Sequence, residues 1–254
     1  MNIAMEIRNL AAKYRDLTAK NLSEVVKIPS TSCNEEGVIN KLAEQCRAAG
    51  FDEVYTDKLG NLIAKIGNGP KVLAFDAHID TVDTGKLDQW ELSPFSGLIK
   101  DDYVFGRGTV DQEGGAAAMI SAGKILKELN YNGEYTLYFV FTVQEEDCDG
   151  MCWRHIVEVE KLVPDFVVIT EPTNLAVYRG HRGRMEMEVY FYGVSSHGSM
   201  PERGDNAIYK ASRFCLEVEN LNERLAYDEF LGKGTVTATL FQSSSPSLCA
   251  EEFI

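Results

Sequence analysis

Acidic and histidine side chains recur just after apolar segments of this chain. The interior of a buried strand would carry no such side chains. They follow the runs VLAFDA, YTLYFVFTV and FVVIT and the loop GRGTV, and they are His78, Asp80, Asp111, Glu145, Glu146 and Glu171. In open α/β sheets, working residues lie in loops past the carboxyl ends of the strands, so these side chains should converge on one edge. Imidazole and carboxylate groups drawn from several elements are the ligands that divalent cations prefer. The pattern therefore predicts a metal site.

Each of these residues also has a simpler interpretation when it is taken alone. Asp111 precedes a predicted helix and would serve as its N-cap. The acidic run 145–147 would form a solvated turn, and His78 would be a buried histidine with ordinary hydrogen-bond partners. Because the residues recur at four separate element ends, we favour one shared site.

Two local spacings add a mechanism to this site. Residues i and i+2 of an extended segment face the same side, so the Asp80 carboxylate should reach the His78 nitrogen that binds no metal and hold its tautomer. Glu145 and Glu146 are adjacent, and a carboxylate bound to a metal is a poor base. One of the two can therefore bind a metal while the other accepts a proton from an attacking water.

Apolar periodicity indicates the elements that position these residues. Helices are expected at 4–27, 34–49, 113–130 and 152–161, and strands at 53–56, 61–66, 72–77, 135–143 and 166–170. The last two strands read as buried, because they are apolar on both faces. Such strands alternating with helices indicate an α/β sheet covered on both sides.

The sequence changes character near residue 180. Charged and apolar residues alternate in RMEMEVYFY, which predicts a strand at 184–192 with one solvated face. A helix at 205–221 and a strand at 234–241 are expected to follow. We therefore predict two domains, a metal-binding catalytic domain at 1–180 and a second domain at 181–254.

Composition excludes several classes of partner. The chain has 254 residues, 44% of them hydrophobic, and a net charge of −14, which repels nucleic acid and acidic membrane surfaces. The N-terminal segment lacks the apolar core of a secretory signal, and no later stretch approaches a membrane span. Six cysteines without such a signal are expected to be free thiols. These features predict a soluble cytoplasmic protein that does not bind nucleic acid or membranes.

Five motifs resemble one enzyme family in their order and spacing. They are AHIDTV, GRGTVDQEGG, TVQEED, TEPTN and SSHGSMPERGDNAI, and the family is the di-zinc amidohydrolases of acetylornithine deacetylase, succinyl-diaminopimelate desuccinylase, aminoacylase and carboxypeptidase G. The segments DQEGG and QEEDCDGMCW further resemble those of a subgroup of selenium-metabolism hydrolases. The resemblance implies a phosphorylase/hydrolase-like zinc-exopeptidase catalytic domain and an α+β lid and dimerisation domain. It also implies a homodimer formed through the lid.

The resemblance implies a reaction and a role for each site residue. The reaction is hydrolysis of an amide bond in an N-acyl amino acid or small peptide. The cofactors would be two divalent ions, zinc with cobalt or manganese as alternatives. His78 and Glu171 would bind one metal, Glu146 would bind the second, and Asp111 would bridge both. Glu145 would be the general base, and Asp80 would orient His78. Glutamate at 171 is typical of the deacylases and carboxypeptidases of this family.

The lid region contributes further candidates by the same resemblance. His197 matches a histidine that reaches into the partner subunit's active site and stabilises the oxyanion of the intermediate. Arg182 could anchor a substrate carboxylate, although a lone arginine on a strand is more often a surface residue. His181 and His155 are expected to be structural. A separate zinc site at Cys148, Cys152 and His155 has too few ligands to be favoured.

The chain also departs from the family pattern. Family members continue for more than a hundred residues and supply a late histidine to the second metal, whereas no histidine follows His197 here. We therefore expect a C-terminally truncated chain, with incomplete catalytic and lid domains. Two alternatives stay open. One is a catalytically inactive fragment that binds metal or dimerises, and the other is an enzyme that uses the same metal edge for another reaction, such as a dehydratase or mononuclear hydrolase.

Overall fold

The chain forms two compact units, Met1–Leu175 and Ala176–Ile254. The computed structural model describes residues 2–148 and 150–243, together with the backbone of residues 252–253. Within these ranges, every helix is too short or too polar to span a bilayer. The catalytic and lid assignments, with their boundary near residue 180, stay predictions.

A five-stranded sheet organises the first unit. Its strands, in the spatial order β1-β2-β6-β3-β7, are β1 (Glu53–Thr56), β2 (Leu62–Ile66), β6 (Tyr135–Thr142), β3 (Lys71–His78) and β7 (Phe166–Ile169). A separate hairpin pairs β4 (Leu98–Lys100) with β5 (Tyr103–Phe105). The helices are α1 (Ile3–Lys13), α2 (Arg15–Val26), α3 (Glu36–Ala49), α4 (Glu113–Glu128) and α5 (Met151–Glu158), and a 3₁₀ turn spans Leu87–Gln89.

The direction of three strands decides where the polar side chains meet. β3 runs parallel to both β6 and β7, while β1 and β2 are antiparallel neighbours at the other side of the sheet. His78 lies opposite Thr142 in this register, and Asp76 lies opposite Ile169. The carboxyl ends of β3, β6 and β7 therefore share one edge, and the loops that follow them begin there.

The main core lies between the sheet and helices α3 and α4. Phe139 of β6 stacks on Phe75 and meets the edge of the Phe51 ring, with ring centroids 5.1 and 5.0 Å away. Gly123 of α4 lets this layer close, since a Cβ there would lie 2.1 Å from the Phe51 ring. Burying one such large apolar side chain contributes about 1.5–3 kcal/mol. This packing holds the strand ends in place.

Two predicted elements of this unit differ in the structure. The helix expected at 4–27 is interrupted at Tyr14, where the side chains of Lys13 and Tyr14 both bind Glu128 of α4. The long-range contact with α4 coincides with the break, which helical periodicity alone does not reveal. β7 was expected to be buried but is exposed at all four residues, because it is an edge strand whose cover depends on neighbours rather than composition.

The second unit contains α6 (Ala207–Arg224), which begins at an Asn206 cap whose side chain accepts from the backbone N–H of Ile208. A 3₁₀ turn spans Pro201–Arg203. The short strands are β8 (Phe191–Tyr192), β9 (Tyr227–Asp228), β10 (Gly232–Lys233) and β11 (Glu252–Phe253). β8 pairs with β11 and β9 with β10, both antiparallel.

The strands predicted in this unit were largely wrong. Of the segment 184–192, only Phe191–Tyr192 is a strand, and residues 234–241 have an irregular backbone. Alternation of charged and apolar residues indicates which side chains would face solvent. A strand also needs a neighbouring strand to pair with its backbone groups, and that requirement is not written in the local pattern.

Candidate metal centre

His78 occupies the last position of β3 and is almost completely buried. Its Nδ1 lies 2.9 Å from the backbone oxygen of Asp80, so this nitrogen carries a proton and donates it to the carbonyl. Its Nε2 faces three carboxylate oxygens, at 2.9 Å from Asp111, 3.8 Å from Glu171 and 3.9 Å from Glu145. One imidazole nitrogen is therefore tied to the backbone and the other points into an acidic cluster.

Asp80 is fully buried and connects three parts of the chain. Its carboxylate lies 3.5 Å from His78 Nδ1, in the direction expected from the sequence, although the shorter contact of that nitrogen is to the Asp80 carbonyl. The same carboxylate accepts the backbone N–H groups of Glu145 and Glu146, both at 3.0 Å, and the Ser32 hydroxyl at 2.7 Å. Asp80 thus holds the loop that carries both glutamates as well as facing the histidine.

Two more buried side chains position that loop after β6. Glu35 accepts the backbone N–H of Gln144 at 3.0 Å, and Asn61 accepts that of Val143 at 3.1 Å. Gln144 has a left-handed backbone conformation, with φ of 60°. The chain therefore turns sharply between the buried strand and Glu145, and polar side chains from two distant segments bind its amides.

The other two carboxylates come from the start of α4 and the end of β7. Asp111 lies in the loop before α4 and is half-exposed, and its peptide bond with Gln112 is cis. Gln112 is buried, donates to Glu171 at 2.6 Å and accepts from the Thr170 hydroxyl at 2.7 Å. Gln112 therefore orients Glu171 towards His78 from the opposite side of the cluster.

The cluster raises the proton affinity of its own members. Burial by itself would lower the pKa of His78, but the hydrogen bond and charge of Asp80, with the charges of Glu145 and Glu171, raise that pKa to about 10. Burial raises the pKa of Glu171 and Glu146; His78 opposes both shifts, and neighbouring carboxylates add to them. The pKa of Asp80 is lowered despite burial, because His78, Ser32 and two backbone amides stabilise its charge.

These properties fit a divalent cation. His78, Asp111 and Glu146 offer one ligand atom each, all within 4.8 Å of one another, and Glu171 approaches the same histidine nitrogen. The pKa of His78 is raised although burial opposes protonation, which shows that the surrounding carboxylates place strong negative charge around Nε2. A cation bound there would neutralise that charge, and imidazole with carboxylate is a donor set that zinc accepts.

Sequence reasoning missed the residues that support the ligands. These are Ser32, Glu35, Asn61 and Gln112, each of which binds a ligand residue, its loop or Asp80. Ser32, Glu35 and Asn61 lie far from the site in sequence and carry no motif of their own. Of these four residues, only Gln112 is adjacent in sequence to a predicted ligand, Asp111, and this adjacency is the one signal that could have identified it.

Three of the remaining candidates belong to the second unit, and His155 belongs to the first. His197 is in the second unit and exposed; its Nδ1 accepts the Ser199 backbone N–H at 3.2 Å, so Nε2 is the nitrogen that carries a proton. Arg182, also exposed, donates to the Lys233 carbonyl at 2.6 Å. His181 contacts the carbonyl of Arg182. In the described part of the chain, His155 groups with two carboxylates and not with Cys148 and Cys152.

Comparison with known proteins assigns the chain to a family. The model of peptidase family M20/M25/M40 matches residues 74–253. The chain belongs to this family. The resemblance inferred from the five motifs is thereby confirmed, and the matched segment contains every ligand candidate around His78.

Relatives from several organisms agree with this assignment. The protein YgeY of Escherichia coli (strain K12) is 50% identical over 240 residues, which are 94% of this chain and 60% of YgeY. A probable succinyl-diaminopimelate desuccinylase of Staphylococcus epidermidis is 34% identical over 192 residues, 74% of this chain and 47% of that protein. The chain thus spans about half to three-fifths of the length of these M20 relatives.

A solved structure matches the fold. The M20 family metallo-carboxypeptidase of Sulfolobus solfataricus superposes with a TM-score of 0.65 at 19% identity, covering 93% of this chain and 69% of that one. The mixed α/β fold class expected for an M20 zinc-exopeptidase catalytic domain is confirmed by this likeness.

Proposed function

We propose that the protein is a metal-dependent amidohydrolase that cleaves the amide bond of an N-acyl amino acid or small peptide with an activated water. The observation that carries this proposal is the approach of Asp111, Glu145 and Glu171 to His78 Nε2, within 3.9 Å, at the carboxyl edge of the sheet. Membership of the M20 family supports it independently. Because the chain spans only part of its relatives, the proposal concerns the whole protein.

His78, Asp111, Glu146 and Glu171 would hold two divalent ions, with Asp111 shared between them. Zinc is the preferred ion, and cobalt or manganese are alternatives. When bound, such ions supply Lewis acidity to a carbonyl oxygen and lower the pKa of a water. Metal binding would displace the proton from His78 Nε2 and leave that lone pair to the ion, because the Nδ1 proton stays directed to the Asp80 carbonyl.

Glu145 is the proposed general base. Its backbone N–H is anchored on buried Asp80, while its side chain is 38% exposed and can meet a substrate. Glu145 would accept a proton from the attacking water as the water oxygen bonds to the amide carbon. It would then return that proton to the nitrogen of the leaving amine as the C–N bond breaks. Asp80 acts through the loop and through His78, as a positioning residue.

His197 is the proposed donor to the oxyanion of the tetrahedral intermediate. The Ser199 amide occupies its Nδ1, which leaves an Nε2–H free to donate. In the family pattern this histidine acts on the partner subunit, so we also propose a homodimer formed through the second unit. A cytoplasmic location is part of the same proposal, from the composition and its six cysteines.

The substrate class follows from the relatives and from Glu171. Proteins named succinyl-diaminopimelate desuccinylase align with 74% or more of this chain, which supports N-acyl amino acids, including N-succinyl compounds, over unmodified tripeptides. Arg182 is a candidate for the substrate carboxylate, although its guanidinium is engaged by the Lys233 carbonyl here.

A substrate panel with a metal cycle tests the proposal. Purified protein would be stripped with a chelator, reloaded with zinc, cobalt or manganese, and assayed for amine release from N-acetyl and N-succinyl amino acids and dipeptides. We expect no turnover in the stripped protein and recovery on reloading, with Glu145→Gln inactive and exposed Asp147→Asn fully active. Turnover unaffected by stripping, or by Glu145→Gln, would refute the mechanism.

A further inference from the structure

A second group of metal-ligating side chains lies outside the His78 centre. Asp57 follows β1, His155 lies in the last turn of α5, and Glu160 follows that helix. One ligand atom from each lies within 4.8 Å of the other two. The group therefore brings the β1–β2 loop close to the end of α5. None of the three residues has a role in the proposed amidohydrolase mechanism.

His155 carries an unpaired nitrogen into this group. Its Nε2 is buried and has no hydrogen-bond partner among the described residues. The nearest acceptors are Asp57 Oδ2 and Glu160 Oε1, each at 3.9 Å, too far for a hydrogen bond. Two donors bound to one tetrahedral zinc at about 2.1 Å lie about 3.4 Å apart, so a shift of about half an ångström in each pair would bring these atoms to ligand spacing.

Asp57 is fixed before any ion arrives. Its side chain is fully buried, and its Oδ1 accepts the backbone N–H groups of Leu59, Gly60 and Asn61, each at 2.9 Å. Oδ2 accepts the Asn61 side-chain amide at 2.8 Å and lies 3.9 Å from His155 Nε2. Hydrogen bonds of this kind orient a carboxylate ligand and preserve its charge.

Glu160 is held close to the histidine by the end of the helix. Its backbone N–H donates to the His155 carbonyl at 3.3 Å. The next residue, Lys161, has φ of 60°, and the chain reverses so that the N–H of Leu162 donates to the Ile156 carbonyl. The glutamate side chain is 24% exposed, which leaves access for an ion and a water ligand.

We propose that Asp57, His155 and Glu160 bind a divalent cation of the zinc class, separate from the centre at His78. The site has one imidazole and two carboxylates, with a water completing the coordination, a donor set that suits zinc. The ion would tie the β1–β2 loop to α5. Because α5 begins shortly after Glu146, the ion would also brace the segment that carries the catalytic glutamates.

Zinc counting in matched variants tests this site. Stripped protein would be dialysed against buffered free zinc and its bound zinc measured by elemental analysis, for wild type, His155→Gln, Glu160→Gln and Glu158→Gln. Glu158 ends the same helix but pairs with Arg154, so its variant controls for the lost charge. We expect one equivalent fewer in the first two variants at a free zinc concentration that saturates wild type, and no change in the control.

A second readout separates this ion from those at the main centre. Zinc should slow amide hydrogen exchange at residues 57–61 in wild type and in His78→Gln, which disables the main centre, but not in Glu160→Gln. Glu160→Gln is nearly isosteric and partly exposed, so it keeps the fold if His155→Gln does not. The proposal is overturned if zinc counts and exchange are the same in wild type and Glu160→Gln, or if Glu158→Gln loses the same equivalent.

Discussion

Replacing Asp80 by asparagine, a side chain of nearly the same shape without the charge, should weaken the metal centre. The wild-type carboxylate has no exposed surface and accepts three hydrogen bonds, from the Ser32 hydroxyl and from the backbone N–H groups of Glu145 and Glu146. Asparagine keeps one acceptor oxygen. In the wild type, Oδ1 accepts the N–H of Glu145 and Oδ2 accepts the N–H of Glu146. The asparagine NH₂ group must replace one of these oxygens, so at least one of the two hydrogen bonds is lost.

The structure sets the size of both effects. A hydrogen bond to a charged group contributes about 1.5–3 kcal/mol, so the free energy of unfolding should fall by about that amount for the lost amide bond. His78 also loses the negative charge beside its Nδ1, 3.5 Å away. Loss of such a support to a ligand weakens metal affinity by about 10- to 100-fold. Turnover should fall with metal occupancy and with the displaced loop.

Metal affinity and stability can be measured on the same samples. Zinc affinity would be taken from competition with a chromophoric chelator, and unfolding from urea titration of the stripped protein. Ser32→Ala is the matched control, because it removes one hydrogen bond to Asp80 and leaves both amide bonds. It should lower the free energy of unfolding by about 1.5–3 kcal/mol, like the loss of one amide bond, but weaken zinc affinity only a few-fold because the charge and both loop anchors remain. If Asp80→Asn binds zinc within two-fold of wild type, the carboxylate does not position the ligands and the argument is refuted.

Three further predictions concern the same edge of the sheet. Glu145→Gln should reduce turnover by at least about 100-fold while zinc content stays constant, and Asp147→Asn should change neither. Burial raises the pKa of Glu113 from 4.5 to about 8. Between these two pH values, the folded protein keeps the Glu113 proton and the unfolded protein has lost it. Stability of stripped protein should therefore decline as pH rises from 4.5 to 8, and Glu113→Gln should flatten that decline in urea titrations. Gln112→Leu removes the donor to Glu171 and should weaken zinc binding by about 10-fold or more in chelator competition.

Sequence reasoning succeeded where the information was local. The strand ends that carry His78, Glu145 and Glu171 were predictable because apolar runs followed by acids are visible in consecutive residues. The parallel arrangement of their strands follows from general rules for α/β sheets. The same local reasoning failed at Tyr14, and in the segment 184–190, where the outcome depends on partners elsewhere in the chain.

The sequence by itself determined the residue types at the metal edge, the order of the main elements and the family. Only the tertiary structure decided which side chains support the ligands. Asp80 binds Ser32 across 48 residues, and Gln112 reaches Glu171 across 59. The grouping of His155 with Asp57 is equally remote from any motif. A buried polar atom takes the partner that packing brings to it, and packing is settled by the whole core rather than by its neighbours in sequence.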